Sequence, residues 1–386
     1  MTTIYLVRHA EAEGNLYRRV HGWYNSKITE KGYRQIAALE KRFEPIHVDA
    51  VYSSDLFRTM TTATAVYRPK GLELHTDPGL REVGMGAWED LTWGEVARTN
   101  PEELQRFIEG NLEWGSVVPG CESFQTVQDR VWGTICKIAA NHPDQAVAIF
   151  CHGMAIRTVL NRCYGRPLEQ MNRIRHSDNT GVACFTMDGD KVNMVFESDA
   201  SHLDESLSTF AGQRGWKEEK GVVKDANLWF QPLDMEKDGA FYRQCRQEAW
   251  QTVHGSMDYF NSEAFFDAAL RNWSVDHRGV TRAILDDKTV GLLQMDFERE
   301  ADLGVGWIPF YYMTPQGRKH GMGIQLLGEA VSCFRGRGRD KLRLRCAPEN
   351  TIAQKFYQDH GFVKIGEDPT SPVPLDILEK YIGYDR

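Results

Sequence analysis

The segment Ile4-Tyr5-Leu6-Val7-Arg8-His9-Ala10-Glu11 opens with large, mostly apolar residues and then turns to an arginine and a histidine. An apolar run without alternation is typical of a strand buried on both faces of a sheet. Residues that follow such a strand lie at the carboxyl edge of the sheet, where open α/β folds place ligand sites. Arginine there supplies a fixed cation for phosphate oxygens, and a neutral imidazole can attack phosphorus. We interpret Arg8 and His9 as candidate site residues; an ordinary polar strand end is the alternative.

Two further segments place similar side chains after predicted strands. The apolar run Ala146–Cys151 is followed by His152, a glycine and an apolar helical segment, which repeats the design of the first strand. The strand predicted at residues 50–54 precedes Arg58, near the start of a helix, where unpaired N–H groups attract anions. Arg58 is therefore predicted to share a phosphate with Arg8, and its alternative is an exposed helix arginine.

A candidate proton donor, Glu82, lies in the segment Leu80-Arg81-Glu82-Val83-Gly84, among apolar and glycine residues. Such surroundings favour the protonated form of a carboxyl group, which a proton donor near neutral pH requires. Glu89 stands beside Asp90 in a more polar run, so it is the weaker candidate.

The composition limits the class of protein. At 386 residues the chain is too long for one ordinary core, and its 41% hydrophobic and 26% charged residues are typical of globular domains. A net charge of -8 argues against general affinity for nucleic acid or an anionic membrane. With neither a signal segment nor an apolar run of roughly 20 residues, a cytoplasmic location is expected. The eight cysteines form no C-x-x-C pair, so neither a metal site nor disulfides are predicted.

The ordered motifs of residues 1–205 resemble the histidine phosphatase superfamily, which includes phosphoglycerate mutase and small phosphomonoesterases. These motifs are Arg8-His9, Gly22-Trp23, Ile28-Thr29 with Gly32, Ser53-Ser54-Asp55 with Arg58-Thr59, Leu80-Arg81-Glu82, Gly120-Cys121-Glu122-Ser123 and His152-Gly153. The resemblance implies a three-layer α/β/α phosphoglycerate mutase-like domain that acts on a small-molecule phosphomonoester. It further implies His9 as nucleophile, Glu82 as proton donor, and a phosphate pocket made of Arg8, Asn15, Arg58 and His152.

The sequence departs from this family at two places. Ala10 and Ala12 replace a common glycine and a common serine or threonine, which removes one possible phosphate contact, and Cys121 replaces a common glycine. The aromatic residues between Glu82 and Gly120 are expected to select the leaving group. A phosphatase is favoured over a mutase because this half is compact, and the mutase remains the alternative.

A polar, glycine-containing connector is predicted at residues 206–225, where Gly212, Gly215 and Gly221 surround a charged cluster. The second half, residues 226–386, then shows strand patterns separated by turns, which indicates an antiparallel meander of the α+β class. After the strand that ends near Met313, a basic loop with Gly321 and Gly323 precedes a helix. Such a loop can cradle phosphate with its N–H groups.

These second-half motifs resemble the GNAT acetyltransferase family, through Arg318-x-x-Gly321-x-Gly323 and the later residues Asn350, Ala353, Phe356-Tyr357 and Gly361-Phe362. The resemblance implies acetyl-CoA as co-substrate, an amine acceptor, and Tyr357 as the acid that protonates the departing thiolate. The implied acetyl-CoA contacts are Met313, Arg318, Lys319, His320, Gly321, Met322, Gly323 and Asn350. Glu298, Glu300 and Asp302 are candidate general bases, a proton relayed through solvent is the equal alternative, and no residue is chosen.

The sequence as a whole predicts a bifunctional enzyme that hydrolyses a phosphomonoester through phosphohistidine and acetylates an amine. One alternative is phosphoryl transfer of the phosphoglycerate mutase type in the first domain. The other is an active phosphatase regulated by a second domain that only binds acetyl-CoA. No oligomeric state is predicted.

Overall fold

A computed structural model describes residues 1–189, 191–212 and 226–384. The chain divides into two compact units, Met1–Glu219 and Lys220–Arg386. Within the described ranges, no helix combines the length and the apolar character that crossing a membrane requires. Each unit is described by itself.

The first unit is built on a six-stranded sheet in the order β3-β2-β4-β1-β5-β6. Strands β3, β2, β4 and β1 pair in parallel, with β3 at one edge, whereas β5 and β6 are added by antiparallel pairing at the other edge. The strands are β1 (Thr2–Arg8), β2 (Ala50–Ser53), β3 (Leu74–Thr76), β4 (Ala146–Cys151), β5 (Val182–Asp188) and β6 (Lys191–Asp199).

Helices cover both faces of this sheet. Ile4 and Leu6 face a core built with α6 and α7, whereas Val7 faces a second core built with α2 and α3. The first strand is therefore buried on both sides, as its sequence predicted. The helices are α1 (Glu13–Tyr17), α2 (Glu30–Phe43), α3 (Phe57–Tyr67), α4 (Trp93–Thr99), α5 (Pro101–Glu109), α6 (Phe124–Asn141), α7 (Gly153–Cys163) and α8 (Thr209–Gly212).

The start of the predicted connector belongs to the first unit. Asp178 accepts a hydrogen bond from Ser208 Oγ at 2.6 Å, and Gln35 Nε2 donates to the carbonyl of Leu207 at 2.7 Å. The domain therefore continues past the predicted limit at residue 205, because side chains far away in the sequence bind this segment. Residues 213–225 of the predicted connector lie outside the described residues.

The second unit is a seven-stranded sheet in the order β12-β13-β11-β10-β9-β8-β7, in which only the β10–β11 pairing is parallel. The mostly antiparallel sheet predicted for this half is confirmed. The strands are β7 (Trp229–Pro232), β8 (Val280–Leu285), β9 (Lys288–Asp296), β10 (Val305–Met313), β11 (Lys341–Cys346), β12 (Val363–Glu367) and β13 (Asp376–Tyr381). The helices are α9 (Gly239–His254), α10 (Ser262–Val275), α11 (Gly323–Arg335) and α12 (Thr351–Asp359).

The two parallel strands of this sheet part near their middle. Their pairing runs from Val305 with Lys341 to Ile308 with Leu344, although both strands continue beyond it. The register of β10 against β9 shifts in the same place, around Pro309, which has no N–H to donate. A cavity of about 380 Å³ opens beside the parted strands.

Candidate active sites

Two histidines meet at the carboxyl edge of the first sheet. The parallel register pairs Arg8 with Cys151, so the next residues, His9 and His152, leave neighbouring strands side by side. The two buried imidazole rings lie 5.4 Å apart between centroids. The parallel pairing of β1 with β4 therefore places the two strand-end histidines, His9 and His152, next to each other.

His9 is held as a neutral imidazole. Its Nδ1 lies 2.8 Å from the carbonyl oxygen of Ala10, which suits the tautomer that carries the proton on Nδ1 and the lone pair on Nε2. Burial, followed by the charges of Arg58 and Arg8, lowers the pKa of His9 well below 6.5. The ring is therefore a free base, and thus nucleophilic, at neutral pH.

Arg58 and Arg8 supply the positive charge of the site. Arg58 is fully buried, and its Nη atoms donate to the main-chain carbonyls of Tyr24, His21 and Gly22 at 2.7–3.0 Å. Arg8 Nη1 donates to the carbonyl of Ser177 at 2.5 Å. Burial lowers the pKa of Arg58 to about 10, so this guanidinium stays charged at neutral pH. Neutral carbonyl groups thus orient both side chains. Because these acceptors carry no charge, the positive charges of Arg8 and Arg58 remain available to bind an anion.

His152 precedes α7 and is fixed by a hydroxyl group. Its Nε2 lies 2.7 Å from Ser54 Oγ, whereas its buried Nδ1 has no hydrogen-bond partner among the described residues. Burial and the charge of Arg58 lower the pKa of His152 well below 6.5. Gly153 lets the Arg8 guanidinium lie close to the start of α7, because a Cβ at residue 153 would lie 3.3 Å from Arg8 Nε.

Glu82 lies beside this group, but its surroundings differ from those predicted. Its carboxylate accepts main-chain N–H groups of Val83, Met154 and Ala155 at 2.9–3.1 Å. Two of these donors belong to the first turn of α7, where a negative charge is favoured. Two of the three donors therefore come from α7, about 70 residues later in the chain, and the residues beside Glu82 in the sequence do not predict them.

A cavity of about 230 Å³ opens beside these groups, although His9, Arg58 and His152 are not among its lining residues. Arg8, Asn15 and Glu82 line it, together with Trp93 and Phe107 from the aromatic segment that was expected to select the leaving group. The remaining lining residues include Val20, Met85, Met154, His176 and Phe210. Trp114, from the same aromatic segment, packs in the core instead.

Sequence reasoning missed two residues of this cavity. His21 lies with its ring 5.6 Å from that of His9, between Asn15 Nδ2 at 3.3 Å and Ser26 Oγ at 3.0 Å. The sequence did offer one indication that His21 belongs to the site, because it directly precedes the Gly22-Trp23 motif. Phe210 lies over the Arg8 guanidinium at 5.8 Å, and no signal marked it because it falls in the predicted connector.

The departures from the family pattern are accommodated locally. Ala10 and Ala12 are both fully buried, and the N–H of Ala10 donates to Thr62 Oγ1 at 2.9 Å. The thiol of Cys121 donates to the carbonyl of Met85 at 3.0 Å, which joins two segments near the cavity. Within the described ranges, no three His, Cys, Asp or Glu side chains group closely enough to hold a metal ion.

In the second unit, two predicted residues line the cavity at the parted strands. Asn350 caps α12, where its side chain accepts the N–H of Ala353, and Tyr357 lies on the same helix. Tyr357 is buried against Phe362 and Tyr311, and burial raises its pKa far above the usual value for tyrosine. The phenol is therefore protonated at neutral pH.

The predicted pyrophosphate loop, residues 318–323, is shaped by a side-chain ion pair. Arg318 binds both carboxylate oxygens of Glu248, at 2.6 and 3.0 Å, and donates through Nε to the carbonyl of Met313. Lys319 and Gly321 have φ angles of 66° and 71°, which turn the loop before α11 begins at Gly323. Arg318 is thus neutralised in this structure, and main-chain N–H groups at the start of α11 remain as phosphate donors.

None of the three candidate bases lines this cavity. Glu300 forms an ion pair with Arg343 at 2.5 Å, and Glu298 and Asp302 are exposed. The titratable side chains that do line the cavity include His254 and Asp368. Burial lowers the pKa of His254, which keeps this imidazole neutral.

Comparisons with known proteins agree with the two folds. Residues 4–199 match the model of the histidine phosphatase superfamily (branch 1), and residues 242–362 match that of the acetyltransferase (GNAT) family. Phosphoglycerate mutase-like protein 4 of Arabidopsis thaliana is 30% identical over 55% of this chain and 92% of its own length. Phosphoserine phosphatase 1 of Hydrogenobacter thermophilus is 31% identical over 41% of this chain and 74% of its own length.

A solved structure, that of Bacillus stearothermophilus YhfR, shares the first fold. It superposes with a TM-score of 0.51 at 30% sequence identity, and the match covers 53% of this chain and 100% of that one. The buried histidine pair, the two arginines and the nearby glutamate thus occur in a domain of known family. The chain belongs to the histidine phosphatase superfamily and carries a GNAT domain in its second unit.

Proposed function

We propose that the first unit hydrolyses a small phosphomonoester through a phosphohistidine at His9. The observation that carries this proposal is the buried pair of neutral imidazoles, His9 and His152, beside a cavity that Arg8 and Glu82 line. Relatives named as a phosphoserine phosphatase and a phosphoglycerate mutase-like protein support a small phosphorylated substrate. The cavity, of about 230 Å³, suits a leaving group of that size.

In the proposed mechanism, Nε2 of His9 attacks phosphorus in line, and the bond from phosphorus to the leaving oxygen breaks. Arg8, Arg58 and His152 stabilise the charge that spreads over the phosphoryl oxygens. Glu82 gives a proton to the departing oxygen and later takes one from the water that hydrolyses the phosphohistidine. A carboxylate has about four acceptor positions, and Glu82 uses three of them on main-chain N–H groups. One position therefore remains to carry the proton that this mechanism requires.

Phosphoryl transfer of the mutase type uses the same residues and differs in the fate of the phosphoryl group. A mutase returns it to the reaction product, whereas a phosphatase gives it to water. Release of inorganic phosphate from phosphorylated metabolites, measured beside isomerised product, separates the two. Isomerisation without phosphate release would replace our proposal with the alternative.

Replacement of His9 by alanine should abolish phosphatase turnover and leave acetyl transfer unchanged, because the two cavities have separate linings. The measurement is phosphate release from p-nitrophenyl phosphate, with labelled phosphoenzyme trapped by a rapid quench. His47→Ala is the matched control, since His47 is exposed and pairs only with Asp49 nearby. Labelled phosphoenzyme in His9→Ala would contradict the assignment of the nucleophile.

Replacement of Glu82 by glutamine should lower turnover most for substrates with poor leaving groups. Loss of a general acid typically costs about 10²- to 10⁴-fold, and p-nitrophenolate departs without needing a proton. The measurement compares the kcat/KM of phosphoserine with that of p-nitrophenyl phosphate in the variant and the parent, because kcat/KM reports on phosphorylation of His9 and not on the later hydrolysis step. An equal loss for both substrates would show that Glu82 does not act as the proton donor.

The pH profile should reflect the lowered pKa of His9. Since protonation inactivates the nucleophile only well below pH 6.5, the acid limb of kcat/KM should lie below that pH. Arg58→Gln removes one cause of the shift and should move this limb to higher pH. The profile is measured with p-nitrophenyl phosphate and corrected for the second phosphate pKa of about 6. An acid limb near pH 6.5 in the parent would refute a neutral, buried nucleophile.

We propose that the second unit transfers an acetyl group from acetyl-CoA to an amine. The loop at residues 318–323 would hold the pyrophosphate through main-chain N–H groups, and the parted strands offer room for the thioester. Acetyl-CoA supplies the activated acyl group. The chain supplies Tyr357, a phenol kept protonated by burial, which can donate its proton to the departing thiolate.

Tyr357→Phe should lower the kcat of acetyl transfer by about 10²-fold and leave the KM for acetyl-CoA nearly unchanged, because only the proton is lost. The measurement is thiol release with a panel of amines. If the parent binds acetyl-CoA but consumes it with no amine, the second unit is a regulatory binding domain. A normal kcat in Tyr357→Phe would remove the tyrosine from the mechanism.

We also propose that the protein acts in the cytoplasm on small molecules. All eight cysteines lie in the part of the chain that the structure describes, and all are thiols rather than disulfide partners. Such usage is typical of a reducing compartment.

A further inference from the structure

The larger cavity contains one cation that no carboxylate neutralises among the described residues. Its charged lining side chains are Arg345 and Asp368, which lie 2.6 Å apart as an ion pair, and Arg246. His254 also lines it but is kept neutral by its lowered pKa. The cavity wall therefore carries a net positive charge at Arg246.

Arg246 projects from α9 and is held in one orientation. Its Nε donates to Tyr242 Oη at 3.0 Å, and its Nη2 donates to Gln294 Oε1 and to the carbonyl of Pro309, each at 3.2 Å. All three acceptors are uncharged. They fix the plane of the guanidinium without reducing its charge.

Aromatic rings flank the same guanidinium. Its Cζ lies 4.1 Å from the ring centroid of Phe310 and 4.5 Å from that of Phe265. Such rings shield a guanidinium from water and strengthen its interaction with an anion. The Nη1 atom carries two further N–H groups, and no described residue accepts a hydrogen bond from it. The Arg246 guanidinium is thus fixed in orientation and partly desolvated, and its Nη1 atom is available to bind a ligand.

The position of Arg246 relates it to the acceptor rather than to the acetyl donor. The phosphates of the donor are assigned to the loop before α11, and no residue of that loop lines the cavity. Arg246 contacts Pro309, where the parted strands leave room for the thioester, and it shares the cavity with Tyr357. A second substrate that enters this cavity meets Arg246 and its aromatic neighbours together.

We propose that Arg246 binds an anionic group of the acetyl acceptor, so that the acceptor is an amine that also carries a carboxylate or a phosphate. This inference rests on the proposed acetyl transfer. A guanidinium binds both kinds of anion through paired N–H donors. The aromatic lining, which includes Trp250 and Phe265, favours an acceptor with an apolar body.

The transfer step balances with groups already named. The neutral amine nitrogen attacks the thioester carbonyl carbon, the carbon–nitrogen bond forms and the carbon–sulfur bond breaks. The thiolate takes the proton of Tyr357, and the proton lost by the amine passes to water, from which Tyr357 recovers its own. Arg246 remains charged throughout and positions the acceptor through its anion.

The test uses the full chain, acetyl-CoA and matched pairs of acceptors that differ only in the anion. The pairs are L-leucine with L-leucinamide, L-phenylalanine with L-phenylalaninamide, and 2-aminoethyl phosphate with ethanolamine. We expect the anionic member of at least one pair to have a kcat/KM about 10- to 100-fold higher, which is the range for hydrogen bonds to charged groups. The first two pairs report on a carboxylate and the third on a phosphate.

Variants then assign the preference to one side chain. Arg246→Gln should remove it by raising the KM of the anionic acceptor while the neutral acceptor is unaffected, and Arg246→Lys should restore part of it. Arg243→Gln is the matched control. Arg243 lies one turn earlier on α9 and stacks on Phe266 at 3.8 Å, but it pairs with Glu263 and does not line the cavity.

The outcomes separate this inference from the proposed transfer. Equal use of both members of every pair, or an unchanged preference in Arg246→Gln, would overturn the anionic acceptor and leave the acetyltransferase standing. Transfer to no amine would overturn both. Calorimetric titration of N-acetyl-L-leucine and N-acetyl-L-phenylalanine adds a readout independent of turnover, since Arg246→Gln should weaken this product binding and Arg243→Gln should not.

Discussion

The parallel pairing of β1 with β4 is the constraint on which the phosphate site depends. It sets Arg8 opposite Cys151, so that His9 and His152 leave the sheet together with their rings 5.4 Å apart. Because side chains alternate between faces, a shift of register by one residue would separate them. Such a shift is also costly, because it would move Ile4 and Val7 into the opposite cores, where other side chains already fill the space.

Each unit contains an arginine that is held by uncharged acceptors. Arg58 donates to three main-chain carbonyls, and Arg246 donates to a phenol, an amide and a carbonyl. Such partners orient a guanidinium without cancelling its charge, which therefore remains available to an anion. Arg318 shows the contrast, because Glu248 binds it through both oxygens. Anion binding is therefore proposed for Arg58 and Arg246, whose partners are uncharged, and not for Arg318, whose partner is a carboxylate.

Local patterns predicted much of the first site because its side chains stand at the ends of buried strands. Apolar runs identified β1 and β4, and the residues directly after them are His9 and His152. The surroundings of Glu82 could not be predicted in this way. Two of its three donors are the N–H groups of Met154 and Ala155, which are distant in sequence and reach it only when α7 packs against the sheet edge. Neighbours in sequence are a poor guide to the polarity around a buried group.

The sequence by itself determined the strands that end in site residues, the antiparallel second half and the glycine-containing loop before α11, because these depend on periodicity and on turn residues. The three-layer class of the first unit followed from the resemblance to the histidine phosphatase superfamily. Only the tertiary structure decided that Phe210 covers Arg8, that His21 lies beside His9, and that Arg246 lines a cavity where no described carboxylate binds it. These relations join residues from separate elements. They depend on how helices and sheets pack. The pattern of residues along the chain does not give the distance between elements that are far apart in sequence.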